Sequence, residues 1–562
     1  MEKLSWSGKR WADAPVAERL EEIQKILLQE RSLTEHDAIQ SFLHPTLQNL
    51  HSPWNIFGME KAVQRIIKAL KKKERIIIFG DFDADGITST VILVQALKDC
   101  GAEVSYRIPT RNIESHGLKK THIDELLHRK VSLLITCDCG INDDKAVHYA
   151  HEQGMDVIVT DHHESKKSSF PSSAVAVLNP KLPQCMYPEK NLSGAGIALK
   201  LVMALAEKYF ETPEKIIPFL DKFFEICAIG LIADCVDLVG ENRILAKFGL
   251  EKMSHTDWKG LAQLLHHCHI DPRNIDEQTI GFTIAPRLNA ASRIGDVLVA
   301  AQLFLGESDM HASRITKLDH LNDQRKQTTQ RVYRESLSQI HPGAAMQCFF
   351  RESWNPGILG LLAGRHVEEL DVPTVACSLR EDGLLTASCR APLGYKMVES
   401  LQEHSNLFEQ FGGHNGAAGF TAKPEKREQI HRMLEAHFAR LGREKPAIPV
   451  SAYLSCDIID LRLSEFLKYF SPFGNGNKES IFGLREVEIL DFQIMGKEKN
   501  HLRIVGLCGE RQLDFTAFFA DKFLKKIKVG QVVDVLFTVS ENIWQEQRRL
   551  QLRVVDVAMS SK

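Results

Sequence analysis

The chain has 562 residues, 44% of them hydrophobic and 25% charged, an ordinary globular composition that is far more than one core holds, so three or four domains are expected. A formal net charge of −3 excludes wholesale attraction to a polyanion and leaves nucleic-acid binding to local basic patches, the candidates being Lys71-Lys72-Lys73, Lys119-Lys120, Lys166-Lys167 and Lys522 to Lys528, each of which alone reads as a solvated face. Twelve cysteines without a Cys-x-x-Cys pair argue against a structural zinc or a disulfide framework, and neither an apolar leader nor a run of about 18 apolar residues occurs, so a cytoplasmic protein with no membrane partner is expected.

Residues 1 to about 45 read as short amphipathic helices, with Ala17 to Glu30 the clearest, forming a cap on the domain that follows. From Met59 the pattern alternates: helix Met59 to Lys72, strand Arg75 to Phe79, helix Thr88 to Asp99, strand Val104 to Pro109. Strands at Val131 to Thr136, Asp156 to Thr160 and Ala174 to Leu178 continue it, with a helix from about Asn142 to Gln153, so this region is doubly wound α/β with a parallel sheet. Apolar helices follow at Ile197 to Tyr209 and Phe223 to Ala233, the second leading into Asp234. A long polar helix from about Met310 to Gln339 reads as a linker between domains. Beyond it a smaller α/β region carries strands at Met346 to Phe350, Val375 to Leu379 and Leu384 to Ser388, with Gly412-Gly413-His414 as a glycine-rich loop. The tail holds five strand-like runs, with a short helix from Asp521 to Ile527 between the third and fourth. That pattern fits an OB-fold, a platform for single-stranded nucleic acid, with a generic small β-barrel as the alternative. The expected segments are therefore a cap (1–45), a doubly wound domain (46–305), a linker helix (306–344), a second α/β domain (345–449) and an OB-like barrel (450–562).

The chemistry sits where apolar strands end. Ile76-Ile77-Ile78-Phe79 runs into Asp81-Phe-Asp-Ala-Asp-Gly86, the second β-prone run stops at Asp138, and the third at Asp161-His162-His163. Ligands of open parallel sheets bind beyond the carboxyl ends of the strands, and this much acid at one edge calls for cations. Oxygen ligands with one or two imidazoles suit Mn2+ or Mg2+ better than Zn2+. Two such ions, with Asp138 as a natural bridge, are the equipment of a phosphoester hydrolase. A receiver-like domain needs no His-His pair, and no P-loop string occurs.

These residues carry a resemblance. Asp81 to Gly86, Cys137-Asp-Cys-Gly140, the Asp161-His162-His163 string and Ile232 to Leu238 resemble the motifs of the DHH phosphoesterase superfamily, and within it the branch of single-strand-specific DNA exonucleases. Pro286 to Arg293, Trp354 to Gly357, Ser388-Cys-Arg390 and Gly412 to Gly419 resemble the substrate-side motifs, the last marking a DHHA1 domain. The resemblance implies that Asp83 holds a first metal and Asp85 a second, that Asp138 bridges them, that His162 and Asp234 complete the second site, and that Asp81 lies at the edge of the first. His163 would face the phosphate or the nucleophilic water, and Arg390 and His414 would contact phosphate. Arg287, Asn289 and Arg293 would form a further strand-binding element, with Asn355 on the substrate side. It further implies 5′-to-3′ removal of nucleotides from single-stranded DNA in repair and recombination, a monomer, and a single-strand-binding protein and a helicase as partners. The chain departs from the family pattern at Asn355, where a His is usual, at Ala391, where a Ser is, and at Ser292, where a Gly is; none of these touches the metal carboxylates.

Other residues have plainer readings. His266, His267, Cys268 and His269 read as a helix end and Cys137 and Cys139 as packing, while Phe470, Phe473 and Trp544 are left open between base stacking and core, the commoner place for Phe. Two rivals stay open: a phosphodiesterase acting on short oligoribonucleotides or cyclic dinucleotides, and a catalytically silent nucleic-acid-binding scaffold.

Overall fold

A computed structural model describes residues 5–114, 116–165, 170–392, 394–441, 447–496, 499–518, 520–544 and 547–560. Lys166 and Lys167 lie outside the described residues, as do the side chains of Lys522 and Trp544. The chain forms two compact units, Met1–Leu50 with Cys235–Lys247 and Glu444–Lys562, and His51–Asp234 with Phe248–Arg443.

The larger unit contains two sheets. In the first, five parallel strands run in the order Val104–Arg107, Ile76–Gly80, Leu133–Cys137, Asp156–Thr160, Ala176–Leu178. The Ile76–Gly80 and Leu133–Cys137 strands are buried throughout, as a strand covered by helices on both faces must be. Strand order reverses between these two, which places a ligand crevice at their carboxyl ends. Helices Ala84–Asp99, Gly194–Tyr209 and Phe223–Ala233 pack on one another, with Gly249 admitting the carbonyl of Phe224 where a Cβ would sit 2.4 Å away. The helix expected from Thr88 starts four residues earlier, because Asp83 caps it.

The helix read as a linker runs from His311 to Ser336 and buries Ile315, Leu318, Leu321 and Asn322. Those positions recur every three or four residues, so it is an amphipathic helix packed on Ala285–Ile294 rather than a bare spacer. The second sheet has the order Gln410–Gly413, Ala417–Ala422, Leu385–Arg390, Thr374–Leu379, Gln347–Phe350. Gly412 and Gly413 are the end of a strand of an antiparallel hairpin, not an open loop, and Gly413 takes φ +127° because a Cβ there would meet the Ala417 carbonyl at 2.4 Å.

The smaller unit is a closed five-strand barrel. Phe482–Met495, His501–Cys508, Arg511–Ala517, Gln547–Met559 and Val532–Trp544 pair in that order, and the last closes on the first. This is OB connectivity, with the short helix Asp521–Leu524 between the third and fourth strands in sequence. Phe470 is buried in its core and Phe473 packs against it. The N-terminal segment belongs to this unit and not to the domain that follows it. Val16–Ala17 pairs in parallel with Ala452–Leu454, Trp6 joins the barrel core, and buried Asp556 accepts from Ser7 Oγ at 2.7 Å and Trp11 Nε1 at 3.0 Å. Cys456 and Cys508 are joined as a disulfide, a single cross-link that their 52-residue separation concealed in the sequence. Among the described residues no helix is long and apolar enough to cross a membrane.

Candidate metal centre

Three strand ends deliver their acids in register. The ladders continue one residue past each strand, with the amides of Asp81, Asp138 and Asp161 donating to the carbonyls of Cys137, Thr160 and Leu178 at 3.0–3.2 Å. The row Asp81, Asp138, Asp161 therefore crosses the sheet at the switch point. Asp138 sits in the left-handed region at φ 61°, a strained conformation for a residue with a Cβ and one that structures retain where a side chain must be aimed.

Backbone amides fix the next two carboxylates. Asp83 accepts from the amides of Asp85 and Gly86 at 3.0 Å each. Asp85 accepts from Gly194 at 2.6 Å and Ala195 at 3.0 Å, at the N-terminus of the helix Gly194–Tyr209. Glycines make the approach possible: a Cβ at Gly86 would lie 2.5 Å from the Asp81 carbonyl, one at Gly194 2.7 Å from Asp138 Cβ, and one at Gly230 2.6 Å from Asp85 Oδ1. Asp234 arrives as the C-cap of Phe223–Ala233.

The result is two groups joined by a third. Asp81, Asp83 and Asp138 each offer an oxygen within 4.8 Å of the others, Asp85, His162 and Asp234 bring their ligand atoms equally close, and Asp138, His162 and His163 form a third such group that links the two. His162 Nε2 lies 3.1 Å from Asp138 Oδ1, 3.6 Å from Asp234 Oδ2 and 4.0 Å from Asp85 Oδ2, so Asp138 touches both groups. Burial, reinforced by neighbouring carboxylates, pushes the Asp83 and Asp138 acids up, Asp85 to about 7 and Asp234 to about 8. Burial next to His163 lowers His162 to about 3, leaving a neutral imidazole that can ligate. Asp138 Oδ1 is buried without a hydrogen-bond partner. An orphaned oxygen, crowded carboxylates and a neutral imidazole are a donor set that fits hard divalent cations.

Asp161 is different: it accepts from the Ile141 amide at 2.9 Å and from His163 Nδ1 at 2.8 Å. Although burial opposes it, that carboxylate raises His163 to about 9 and is itself held below the usual range. His163 Nδ1 stands 3.9 Å from Asp138 Oδ1. Cys137 and Cys139 are fully buried, and burial pushes the Cys137 thiol up to about 12, as packing residues require.

The substrate-side expectations divide. Burial lowers Arg293 to about 9, and the charges of Arg111, Arg325 and Arg390 press it further while Asp83 opposes them, so these arginines lie within one another's field; Arg293 Nη1 donates to the Gly357 carbonyl at 2.6 Å. Burial lowers Arg325 and Arg390 too, and Arg325 Nε has no partner. His414, at the hairpin tip, lies within the field of Lys181 and His163. The other three are held inside the protein. Arg287 is bound by Asp319 Oδ1 at 2.6 Å and the Thr283 carbonyl at 2.7 Å, Asn289 Oδ1 accepts from the Ala84 amide at 3.0 Å, and Asn355 Oδ1 caps a turn by accepting from Gly357 at 2.7 Å. Arg111, which stacks 4.8 Å over Phe82, Arg325 and His116 were not singled out from the sequence, since each lies in a polar stretch without a motif of its own.

Comparison with known proteins agrees with this geometry. Residues 75–231 match the DHH family, N-terminal domain, residues 342–440 the DHHA1 domain, and residues 450–556 the RecJ OB domain. The chain is 32% identical over 542 residues to the single-stranded-DNA-specific exonuclease RecJ of Bacillus subtilis, covering 95% of this chain and 67% of that protein. It is 30% identical over 544 residues to the RecJ of Haemophilus influenzae, covering 91% and 92% respectively. The crystal structure of RecJ from Thermus thermophilus in complex with Mn2+ matches with a TM-score of 0.81 at 27% identity, over 98% of this chain and 80% of that one. With all three regions matched in order and the likeness running through nearly its whole length, the chain belongs to the RecJ family of single-stranded-DNA-specific exonucleases.

Proposed function

We infer that this protein is a metal-dependent exodeoxyribonuclease that hydrolyses phosphodiester bonds at the end of single-stranded DNA. The observation that carries the reading is the pair of acidic groups joined through Asp138 and His162, set beside half-buried arginines. Asp81, Asp83 and Asp138 would hold a first Mn2+ or Mg2+, and Asp85, Asp138, His162 and Asp234 a second. When bound, such a pair supplies positive charge to the scissile phosphate and activates water for attack.

The remaining roles belong to the chain. Arg111, Arg293, Arg325 and Arg390 bind backbone phosphate, since a guanidinium desolvated among its own kind is stabilised by an anion. His163, held in one orientation by Asp161, donates to the phosphate or positions the water. The amide clamps on Asp83 and Asp85 keep their carboxylates from turning as charge shifts during reaction. Digestion proceeds 5′ to 3′, the OB barrel binds single-stranded DNA, and the catalytic and DHHA1 regions divide near residues 306–344. The protein works as a cytoplasmic monomer alongside a single-strand-binding protein and a helicase.

Digestion of single-stranded, double-stranded and RNA oligonucleotides labelled at either end, with Mn2+ and with Mg2+, tests this. Loss of single-stranded DNA from its 5′ end, dependent on the ion, is expected. Intact single strands alongside cleavage of short oligoribonucleotides or cyclic dinucleotides would overturn the assignment.

A further inference from the structure

The carboxylates of the first acidic group are held unequally. Asp83 has two amide donors, whereas Asp81, 4% exposed, has among the described residues one hydrogen-bond partner for its carboxylate: His116 Nδ1, 2.9 Å from Oδ1. The imidazole is itself steered. Its ring meets His163 edge-on at 5.5 Å and Phe82 at 6.2 Å. The next residue, Gly117, takes φ +90°, and a Cβ there would sit 2.8 Å from an oxygen of Asp143. The Leu118 amide donates to the same Asp143 carboxylate at 2.7 Å, so the loop is anchored on the residue after the next one along. A half-exposed histidine on an unanchored loop would sample many orientations; this one is pinned with its nitrogen on a buried acid.

We propose that His116 is a positioning residue for the first cation. By donating Nδ1–H to Asp81 Oδ1 it stops that carboxylate from rotating away from Asp83 and Asp138, doing with a side chain what amides do for Asp83 and Asp85. This rests on the two-cation reading above. Partners that orient a ligand carboxylate typically change metal affinity by about 10- to 100-fold when removed. The role predicts a defect at one of the two ion sites and not at both, because His116 bonds to Asp81 of the first group while the second group is built from Asp85, His162 and Asp234.

Direct Mn2+ binding to the metal-free full-length protein, followed by calorimetry and by the electron paramagnetic resonance of free Mn2+, tests it in His116→Ala, His116→Asn and Asp138→Ala. His116→Ala should weaken one site by roughly 10- to 100-fold and leave the other within about twofold. His116→Asn, whose amide nitrogen falls near the position of Nδ1, should recover most of the loss. The ring is half exposed, so truncation opens no cavity, and unchanged metal-free melting would verify the fold. Wild-type affinity at both sites in His116→Ala, or a defect seen solely in the KM for DNA, would overturn the proposal. Asn rescuing nothing would overturn it as well. A wild-type protein that takes up no Mn2+ would instead sink the two-cation reading, and Asp138→Ala, expected to lose both sites, separates the two failures.

Discussion

Two clusters of like charge lie side by side in the larger unit and are built in opposite ways. The carboxylates of Asp81, Asp83, Asp85 and Asp138 are short side chains on strand and helix ends, locked by register, by amide donors and by glycines that admit no Cβ. The guanidinium groups of Arg111, Arg293, Arg325 and Arg390 reach their common site on long flexible stems from three helices and a strand belonging to both sheets' regions. Each cluster alone is unfavourable, since burial gathers charges that repel. The difference is in what each can tolerate. A rigid pocket cannot relax around a lost or shifted ligand, so damage there falls on the chemical step, whereas the arginines can redistribute and damage falls on binding.

Asp138→Ala should produce the largest effect, because it removes the carboxylate that links the two groups. A Lewis-acid contribution of several kcal/mol, at about 1.4 kcal/mol per decade, sets the expected loss of kcat on the order of 10³-fold. Single-turnover digestion with saturating Mn2+ measures it. A loss confined to KM would break the contrast drawn above. Gly194→Ala sharpens the rigidity claim without touching a charge, since the new Cβ would be thrust within 2.7 Å of Asp138 Cβ. A displacement of that kind costs up to about 10²-fold in kcat, with KM for DNA nearly unchanged. Activity within twofold of wild type would mean the pocket yields more than its geometry implies.

What could be read from the chain follows the same division. Asp81, Asp138 and the Asp161-His162-His163 string stand where buried apolar runs stop, a signal local in sequence, and parallel pairing brought them into one row. The arginine site has no such signal, because which long side chains converge depends on tertiary packing. Arg287 and Arg293 illustrate this: six residues apart on a helix they point about 120° apart, and Arg287 is tied to Asp319 while Arg293 lies in the field of the other arginines. Helical geometry alone could have separated them. The placement of the N-terminal segment was not recoverable, since it turns on a two-residue strand pairing with a partner more than 400 positions away.

Arg390→Gln tests the adaptable side. With three arginines left, KM for single-stranded DNA should rise by roughly 10-fold, in the range of a lost charge-assisted hydrogen bond, and kcat should change little. The salt dependence of binding should flatten by about one phosphate's worth of counterion release. A drop of 10³-fold in kcat with unchanged KM would place Arg390 in the chemistry and erase the distinction.

The smallest effect is on stability, and its sign follows from the raised carboxylates together with His163, which outweigh His162, lowered to about 3 by burial and opposing the trend below its ordinary value of about 6.5. Asp85 and Asp234 titrate near 7 and 8 in the folded protein because of burial and neighbouring carboxylates, against an ordinary value of about 4 when unfolded. Between those limits the folded, metal-free state binds more protons than the unfolded one, so unfolding free energy falls as pH rises. His163, raised to about 9 by Asp161 against the opposing effect of burial, acts in the same direction: its contribution is complete below its unfolded value and fades as pH climbs through 9. The metal-free melting temperature should therefore decline by several degrees from pH 5 to pH 8, and the increment gained on adding Mn2+ should be larger at pH 8, where the carboxylates are ionised without a partner. Asp138→Ala should flatten both trends by relieving the crowding. A metal-free protein that grows more stable towards pH 8 would mean that these acids are less confined than their amide clamps and orphaned oxygen indicate.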